Sequence, residues 1–274
     1  MKILIVGLGL IGGSMAKALR RAGYAPDGSD LPAVEQAALA QGVIGRAARG
    51  PHGYDVVFVA LPPDAAMRYL DEETFSAGAV VADVCGVKGA VERCVYAKER
   101  AYRYVGCHPM AGKEVSGLAN ASAGLFDGAS MIVTHAPRTD PQAVSLLEGL
   151  FRAMGFGQIT RCTAAEHDAK IAYTSQLAHV VSSAYVKSGT ADGFSGFTGG
   201  SFQDMTRIAG VDEGLWERLF LLNRAALSAE LETLISNLQD YLSALQTEDA
   251  ARLRGLLRAG RLRKEHLDRE RRIV

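Results

Sequence analysis

The sequence has no excess charge of either sign and no long apolar run. Its 30 basic and 30 acidic side chains give a formal net charge of zero, so no global field attracts nucleic acid or an anionic membrane surface. No stretch approaches the roughly 18 consecutive apolar residues that a membrane-spanning helix requires. The first apolar segment runs directly into a glycine motif, which a secretory signal peptide does not do. We therefore expect a cytoplasmic protein with no nucleic acid or membrane as a partner.

Cysteines are also few. The four show neither the C-x-x-C spacing of metal sites nor the density of a disulfide scaffold. We interpret Cys85, Cys94, Cys107 and Cys162 as reduced core thiols and expect no metal centre. With 274 residues, 48% of them hydrophobic, the chain can form one large domain or two ordinary ones.

A glycine motif follows the first predicted strand. Residues 2–6 are β-prone, and Gly7-Leu8-Gly9-Leu10-Ile11-Gly12 then opens a helical pattern that runs to about residue 22. In this context Gly7 permits a tight turn, Gly9 lets a pyrophosphate approach the backbone, and Gly12 lets the helix pack closely on the strand. The free N–H groups at the start of the helix then bind phosphate. The pattern predicts a dinucleotide site at residues 7–12.

An acidic residue after the second predicted strand indicates which dinucleotide binds. Asp30 follows a strand predicted at residues 24–29 and lies 18 positions after Gly12. A carboxylate at this place accepts hydrogen bonds from the ribose hydroxyls and repels a 2′-phosphate. No arginine immediately follows Asp30, so NAD is favoured over NADP as cofactor. The irregular Pro26-Asp27-Gly28 sequence leaves open that Asp30 is an ordinary loop aspartate.

Strands and helices alternate over residues 1–162. Continuous apolar runs suit central strands that are buried on both faces. These runs and the outer strands are expected at residues 55–61, 79–88, 130–135 and 156–161, with a helix at 141–154. The alternation predicts an α/β fold with an N-terminal doubly wound parallel sheet of the Rossmann type.

The remainder of the chain shows only helical patterns. Thr163 and Glu166 have the spacing of a capping box, and a long helix is predicted from there to about residue 187. A short helix is predicted at residues 204–209, and Asp212 is a candidate cap for the helix after it. The arginine-rich end, residues 252–272, is interleaved with acidic residues and is expected to be a solvated helix face. We therefore predict a dinucleotide-binding domain at residues 1–162 and an all-helical substrate-binding and dimerisation domain at residues 163–274. A wide apolar stripe on the later helices needs a partner surface, so a homodimer through this domain is expected. The stripe includes Leu221, Leu222, Leu227, Leu231, Leu234, Ile235 and Leu238.

A histidine stands where a buried strand becomes polar. Residues 104–107 are typical of such a strand, and His108-Pro-Met-Ala-Gly112 follows, then Lys113 and Glu114. Ligands of an open α/β sheet bind at the carboxyl ends of the strands, so His108 is well placed for chemistry. The residues alone leave a structural role for this histidine open.

Together these segments resemble the prephenate dehydrogenase family of tyrosine biosynthesis, which also includes arogenate and dual-specificity cyclohexadienyl dehydrogenases. The segments His108-Pro-Met-Ala-Gly112 and Thr206-Arg207-Ile-Ala209 are the specific ones, since many dehydrogenases share the glycine loop. The resemblance implies oxidative decarboxylation of prephenate to 4-hydroxyphenylpyruvate with hydride transfer to NAD. The alternative is arogenate or dual use, with L-tyrosine formed directly. The matching pieces are residues 7–14, 83–88, 108–117, 125–126, 175–179, 206–209 and Trp216.

The resemblance also implies roles for single residues. His108 would take the proton of the substrate C4 hydroxyl, and Arg207 would bind a substrate carboxylate in a bidentate way. His179 is implied in substrate binding, and Lys113 and Glu114 would line the mouth of the site. The residues themselves leave open that Arg207 is a surface side chain, His179 a packed histidine and Glu114 a solvated loop residue.

Two positions depart from the family pattern. Gly86 stands where many members have a serine whose hydroxyl can hold both histidine and substrate; a water or the Cys85 thiol could replace it. Gly86 is still expected to contact the substrate. Gln203 stands where many prephenate-specific members have a cation, which is a hint toward arogenate or dual use.

Two further classes of protein stay open as alternatives. One is another two-domain dehydrogenase with a helical dimerisation domain, such as a 3-hydroxy acid dehydrogenase or an imine reductase. It leaves the His108 motif unexplained. The other is a non-catalytic NAD-binding regulator, which has no need of His108 together with Arg207.

Overall fold

A computed structural model of the protein describes residues 1–113 and 115–273. The structure divides into two compact units, residues 1–224 and the segment from residue 225 onward. The first unit contains a seven-stranded sheet with flanking helices, followed by further helices. Its strands are β1 Ile3–Val6, β2 Asp27–Ser29, β3 Val56–Val59, β4 Val80–Asp83, β5 Arg103–Pro109, β6 Ser130–Thr134 and β7 Gln158–Cys162.

The other regular elements among the described residues are helical. Short 3₁₀ turns lie at Leu118–Asn120 and Gly189–Ala191, and a π-helical segment spans Ala172–Gln176. The α-helices are α1 Leu10–Arg21, α2 Pro32–Ala40, α3 Pro63–Glu72, α4 Gly89–Tyr96, α5 Pro141–Ala153, α6 Ala164–Ile171, α7 Leu177–Tyr185, α8 Gly200–Thr206, α9 Glu213–Leu222, α10 Arg224–Gln246 and α11 Ala250–Ile273.

The sheet has the strand order β2-β1-β3-β4-β5-β6-β7. All neighbouring strands are parallel except β5 and β6, which pair antiparallel with His108 opposite Ile132. The predicted doubly wound sheet is thus confirmed, with one reversal that the sequence reading did not include. A parallel partner needs a crossover, usually a helix. Among the described residues between β5 and β6, the one helical element is a 3₁₀ turn at Leu118–Asn120, so the chain returns antiparallel.

Alternate side chains of the central strands enter two separate cores. Ile5 and Phe58 pack into a core with residues of α1 and α5, such as Leu19 and Phe151. Their sequence neighbours face a second core with residues of α3 and α4: Leu4, Val57, Leu70 and Val95. Helices therefore cover both faces of the sheet, which leaves the carboxyl ends of its strands as the place for a ligand.

Three predicted boundaries are wrong. Strand β2 begins only at Asp27, because Pro26 has no N–H for the ladder. Strand β4 ends at Asp83, whose carboxylate accepts the N–H of Cys85 at 2.9 Å and turns the chain. The short helix predicted at residues 204–209 is shifted to Gly200–Thr206 as α8.

The capping box at the start of α6 is confirmed. The Thr163 hydroxyl accepts the N–H of Glu166, and the Glu166 carboxylate accepts the N–H of Thr163 at 2.8 Å. The long helix predicted from this point consists of α6, the π-helical segment and α7. A π-helical turn inside a helix often marks a functional site. This one, Ala172–Gln176, precedes His179 by less than one turn.

The second unit contains the rest of α10 and α11. Arg252 of α11 pairs with Asp240 of α10 at 2.7 Å, and Arg261 and Lys264 form ion pairs with Glu265 and Asp268 one turn further on. These pairs confirm that the arginine-rich end is a solvated helix face. Among the described residues, no helix is both long enough and apolar enough to cross a bilayer.

Candidate active site

The glycine loop lies between β1 and α1 and has the geometry that a dinucleotide requires. A Cβ at Gly12 would lie 1.8 Å from the carbonyl oxygen of Gly7, so only glycine permits this close packing of helix and strand. A Cβ at Gly9 would meet nothing within 4 Å, which leaves open space where a pyrophosphate would approach the backbone. Leu8, Leu10 and Ile11 complete the loop and the first turn of α1. The residues present therefore fit a bound dinucleotide.

Asp30 lies directly beside this loop. Its carboxylate accepts the N–H of Leu8 at 2.5 Å and the N–H of Leu31 at 2.6 Å. The buried carboxylate of Glu35 stands behind it and accepts the N–H of Asp30 at 3.1 Å. Two carboxylates at the end of β2 suit ribose hydroxyls and repel a 2′-phosphate.

A cavity of about 1090 Å³ opens beyond the carboxyl ends of β4 and β5. It brings together four of the residues predicted for the substrate site: Gly86, His108, Lys113 and His179. The π-helical segment and α9 supply further lining residues, among them Asp212 and Trp216. Glu114 was also predicted for the site, but it lies outside the described residues.

His108 is held at the end of β5 by a second histidine. Its Nδ1 lies 2.8 Å from Nε2 of His167, and the rings meet at 57°. Burial lowers the pKa of His108 well below its usual value, and the nearby His167 and Lys88 lower it further. His108 is therefore neutral at physiological pH and can accept a proton.

The sequence reading missed His167 and the residue next to it, Asp168. His167 is buried at the start of α6, and its Nδ1 lies 2.8 Å from Asp168 Oδ1. Asp168 also accepts the N–H groups of Lys88 and Gly89, each at 2.8 Å, at the start of α4. A signal for them exists in the sequence, because a His-Asp pair follows the capping box directly after the last predicted strand. The sequence analysis uses that segment only to predict the start of a helix.

A buried ion pair supports the strand ends beneath His108. Lys88 and Asp83 are both fully buried and joined by a hydrogen bond. The Lys88 ammonium also donates to the carbonyl of Cys107 at 2.6 Å, one residue before His108. Tyr104 donates to the other oxygen of Asp83 at 2.6 Å. Burial and the Asp83 charge raise the pKa of Tyr104 well above its usual value, which keeps its proton in place.

Gly86 faces His108 across a small gap. A Cβ at this position would lie 3.7 Å from His108 Nε2 and 3.5 Å from Leu219, which is ordinary contact distance. The neighbouring Cys85 thiol does not take the place of the serine hydroxyl that the family resemblance predicts here. It is buried and directed at the carbonyl of Leu61, 3.6 Å away.

The second predicted histidine lies at another wall of the cavity. His179 Nδ1 is 3.0 Å from the carbonyl oxygen of Ile208, and the ring packs against Trp216 with centroids 3.8 Å apart. Arg207 precedes Ile208 and is exposed at the end of α8, outside the side chains that line the cavity. The structure thus brings His108 and His179 into one cavity and leaves Arg207 beside it.

A buried amide fixes the π-helical segment against α9. Asn223, just after α9, donates to the side chain of Gln176 and to the carbonyl of Asp168, both at 2.8 Å. Gln176 in turn donates to the carbonyl of Leu219 at 3.3 Å. This network joins the cavity wall to the helix that carries His167. In the part of the chain that the structure describes, no cluster of three or more His, Cys, Asp or Glu could hold a metal ion.

Two family profiles match the chain. The profile described as "Prephenate dehydrogenase, nucleotide-binding domain" matches residues 15–159. The profile described as "Prephenate dehydrogenase, dimerization domain" matches residues 163–259. Together they cover strands β2 to β6, the start of β7 and most of the helices that follow, whereas β1 and the glycine loop precede the first profile.

Individual relatives agree with the profiles. The chain is 30% identical to a prephenate dehydrogenase of Bacillus subtilis, over 92% of this chain and 72% of that protein. It is similar to the crystal structure of Synechocystis arogenate dehydrogenase, with a TM-score of 0.84, 26% identity and coverage of 97% of this chain and 100% of that one. It is also similar to A. aeolicus prephenate dehydrogenase in complex with hydroxyphenyl propionate and NAD+, with a TM-score of 0.83, 27% identity and coverage of 97% and 98%.

The two profiles match most of the chain, and the relative in Bacillus subtilis is 30% identical over 92% of it. The chain belongs to the prephenate dehydrogenase family.

Proposed function

We propose that the chain catalyses oxidative decarboxylation of prephenate to 4-hydroxyphenylpyruvate, with NAD as the hydride acceptor, in L-tyrosine biosynthesis. The observation that carries this proposal is the position of His108, which lines the cavity at the end of β5 in the same sheet that carries the dinucleotide loop; burial lowers the pKa of this histidine. NAD, when bound, supplies a nicotinamide ring that accepts a hydride. The residues of the glycine loop and Asp30 would hold its pyrophosphate and ribose.

His108 acts as the base. A carbinol carbon releases hydride readily only as its O–H proton is withdrawn, and a positioned base contributes roughly 10² to 10⁴ in rate. The low pKa of His108 keeps the ring neutral, so one of its nitrogens has a lone pair, and Nε2 is the nitrogen that lies toward Gly86 at the cavity. A C4 hydroxyl placed against His108 would therefore give it a hydrogen bond.

The balance of the reaction sets a second demand on His108. Prephenate loses a hydride and CO2, and the C4 oxygen becomes the phenol oxygen of the product. The proton taken from that oxygen is needed there again once the ring is aromatic, so no proton is released overall. His108 therefore accepts the proton as the hydride leaves and returns it to the same oxygen once the ring is aromatic.

The substrate carries two carboxylates, and two cationic side chains lie in or beside the cavity. Lys113 is exposed at the mouth of the cavity. Arg207 follows α8 next to Ile208, the residue whose carbonyl fixes His179. We assign Arg207 and His179 to the side-chain carboxylate and its keto group, with Lys113 at the entrance. Glu114 is retained as a proposed neighbour of Lys113 on the sequence alone.

Arogenate is a second candidate substrate, and a specific observation favours it. L-arogenate differs from prephenate in having an ammonium group where prephenate has a keto group. Asp212 lines the cavity, with one carboxylate oxygen accepting the N–H of Leu215 at 2.8 Å, and residue 203 on α8 is a neutral glutamine. Both features suit the ammonium group of L-arogenate better than the keto group of prephenate. Dual use is therefore part of the test.

We further propose a division at residue 162 and a homodimer through the helices after it. The profile bounds, 15–159 and 163–259, support the division. Exposed apolar side chains on α10, such as Ile235, Leu238 and Leu242, need a partner surface. Sedimentation at micromolar concentration should give a dimer, and a monomer would contradict this part.

The direct test is turnover. The protein is incubated with NAD or NADP and either prephenate or L-arogenate, and the absorbance of the reduced cofactor is followed. We expect reduction of NAD with at least one substrate. His108→Asn should abolish turnover and leave substrate binding intact, whereas Arg207→Ala should mainly raise KM. Arg68→Ala, an exposed arginine on α3, is the matched control and should behave as wild type. No turnover of either substrate refutes the proposal.

A further inference from the structure

We infer that Asp168 and His167 are positioning residues that fix the tautomer of His108, so that its unprotonated Nε2 faces the cavity. The inference rests on the proposed role of His108 as base. It concerns three side chains in one line, from Asp168 of α6 through His167 to His108 of β5.

Asp168 determines which atoms donate along the line, because an ionised carboxylate can only accept hydrogen bonds. Its Oδ1 receives the N–H of Lys88 and faces His167 Nδ1, and its Oδ2 receives the N–H of Gly89. Burial raises the pKa of Asp168, but the hydrogen bonds from His167 and the two backbone groups outweigh this and lower it. The carboxylate is therefore ionised, and the start of α4 stabilises its charge.

The tautomers follow from that anchor. With the carboxylate as an acceptor, the proton of neutral His167 must lie on Nδ1, which leaves Nε2 as an acceptor. His167 Nε2 then receives the proton on His108 Nδ1, 2.8 Å away. Because a neutral imidazole carries one proton, His108 Nε2 has a lone pair. Each assignment depends on the one before it.

Burial keeps both rings neutral in the resting enzyme. Burial lowers the pKa of His167, although the Asp168 hydrogen bond acts in the opposite direction. When His108 gains the substrate proton, the new charge lies near Lys88, which is unfavourable. The Asp168 carboxylate at the far end of the line offsets it through His167. Other charged or titratable groups around the line include Asp83, Glu92, Arg93, Tyr104, Cys107, His135, Cys162 and Glu166.

This arrangement accounts for Gly86. In relatives with serine at this position, the hydroxyl can hold the histidine from the cavity side. Here the histidine is held from behind, by His167, and the cavity side is left to the substrate. The line need not carry a proton to solvent, since the reaction releases none. Its work is orientation and charge stabilisation.

The test begins without substrate. Protein labelled with ¹⁵N-histidine is studied by NMR at about pH 8, above the ordinary histidine pKa of about 6.5. His108 and His167 are assigned by comparison with His108→Asn and His167→Gln. We expect Nε2 of His108 to show the shift of an unprotonated nitrogen and Nδ1 that of a protonated one. The opposite pattern overturns the inference, whatever substrate the enzyme uses.

Substitution of the anchor gives the second readout. Asp168→Asn has one acceptor oxygen for three donors, and its NH₂ group can reverse both tautomers. We expect the His108 nitrogen shifts to change and kcat to fall by about 10² to 10⁴, with KM within a few-fold of wild type. His52→Asn, an exposed histidine before β3, is the control and should keep both properties. Unchanged shifts in Asp168→Asn overturn the inference even if kcat falls.

A pair of variants at His167 decides the matter if Asp168→Asn does not fold. The Oε1 of glutamine can accept the His108 Nδ1 proton at the place of His167 Nε2, whereas leucine cannot. His167→Gln should therefore retain more kcat than His167→Leu, and only the leucine variant should alter the His108 shifts. Equal kcat and equal shifts in the two variants overturn the inference. If wild type shows the expected His108 and His167 tautomers but turns over neither substrate, the result counts against the proposed function and not against this inference.

Discussion

Replacement of Lys88 by methionine should destabilise the protein far more than an average substitution does. Lys88 has no exposed side-chain surface and is the cation that pairs with Asp83, which is equally buried. Without it, Asp83 keeps the hydroxyl of Tyr104 at 2.6 Å and the N–H of Cys85 at 2.9 Å, but loses its counter-charge. The carbonyl of Cys107 also loses a donor at 2.6 Å.

The magnitude follows from these losses. Removal of one partner of a buried pair costs about 3–5 kcal/mol, because the remaining charge stays desolvated. With an m-value of about 3 kcal/mol per M of urea, the unfolding midpoint should fall by about 1–1.7 M. Asp83→Asn/Lys88→Met removes both charges. It should recover much of the stability, since a buried pair contributes little relative to neutral groups of similar size.

The assay is urea unfolding followed by circular dichroism for wild type, both single variants and the double variant. The four free energies of unfolding form a cycle, and we expect a coupling energy of more than about 1 kcal/mol between Asp83 and Lys88. Lys98→Met is the control, because Lys98 forms an ion pair with Asp71 but is largely exposed. A cost for Lys88→Met no larger than that for Lys98→Met would refute the reasoning.

Two further predictions concern His108. Its lowered pKa means that kcat/KM should not decline from neutral pH down to about 6.5, the ordinary histidine value, and should fall only below it. The free energy of unfolding should decrease below about pH 6.5 as well, because the unfolded chain then binds protons that the buried histidines do not. If kcat/KM or the free energy of unfolding already declines at or above pH 6.5, the result contradicts the prediction for that quantity. Gly86→Ser should fold normally, since its Cβ fits at 3.5–3.7 Å from its neighbours. A hydroxyl hydrogen bond contributes about 0.5–1.5 kcal/mol net, so kcat/KM should change by less than about tenfold, and a hundredfold rise would show that His167 does not suffice to orient His108.

Much of the fold could be predicted because its signals are local. A strand, a glycine turn and a helix in succession define the loop at residues 7–12, and apolar runs of suitable length define the central strands. Capping patterns at Thr163 and Asp212 also depend on neighbours three positions away, and both caps are present. Boundaries failed where a local exception intervened, as at Pro26 and Asp83.

The predicted site residues had a different basis. Gly86, His108, Lys113 and His179 were found through segments that resemble a family, and the structure places them around one cavity. The spacing of these residues along the chain does not by itself place them around one cavity.

The antiparallel direction of β6 could not be predicted either, because it follows from a connection whose described residues form no crossover helix, and apolar periodicity does not reveal this.

By itself, the sequence determined the dinucleotide loop, the alternation of strands and helices, and the histidine at the end of β5. Only the tertiary structure decided what holds that histidine. His167 lies 59 positions from His108, and Asp168 lies 80 positions from Lys88, yet each pair is within 2.8 Å. Hydrogen bonds between side chains depend on distances in space, whereas the periodicities of helices and strands extend over a few residues. The proposed base is therefore visible in the sequence, whereas the side chains proposed to orient it are brought together only by the fold.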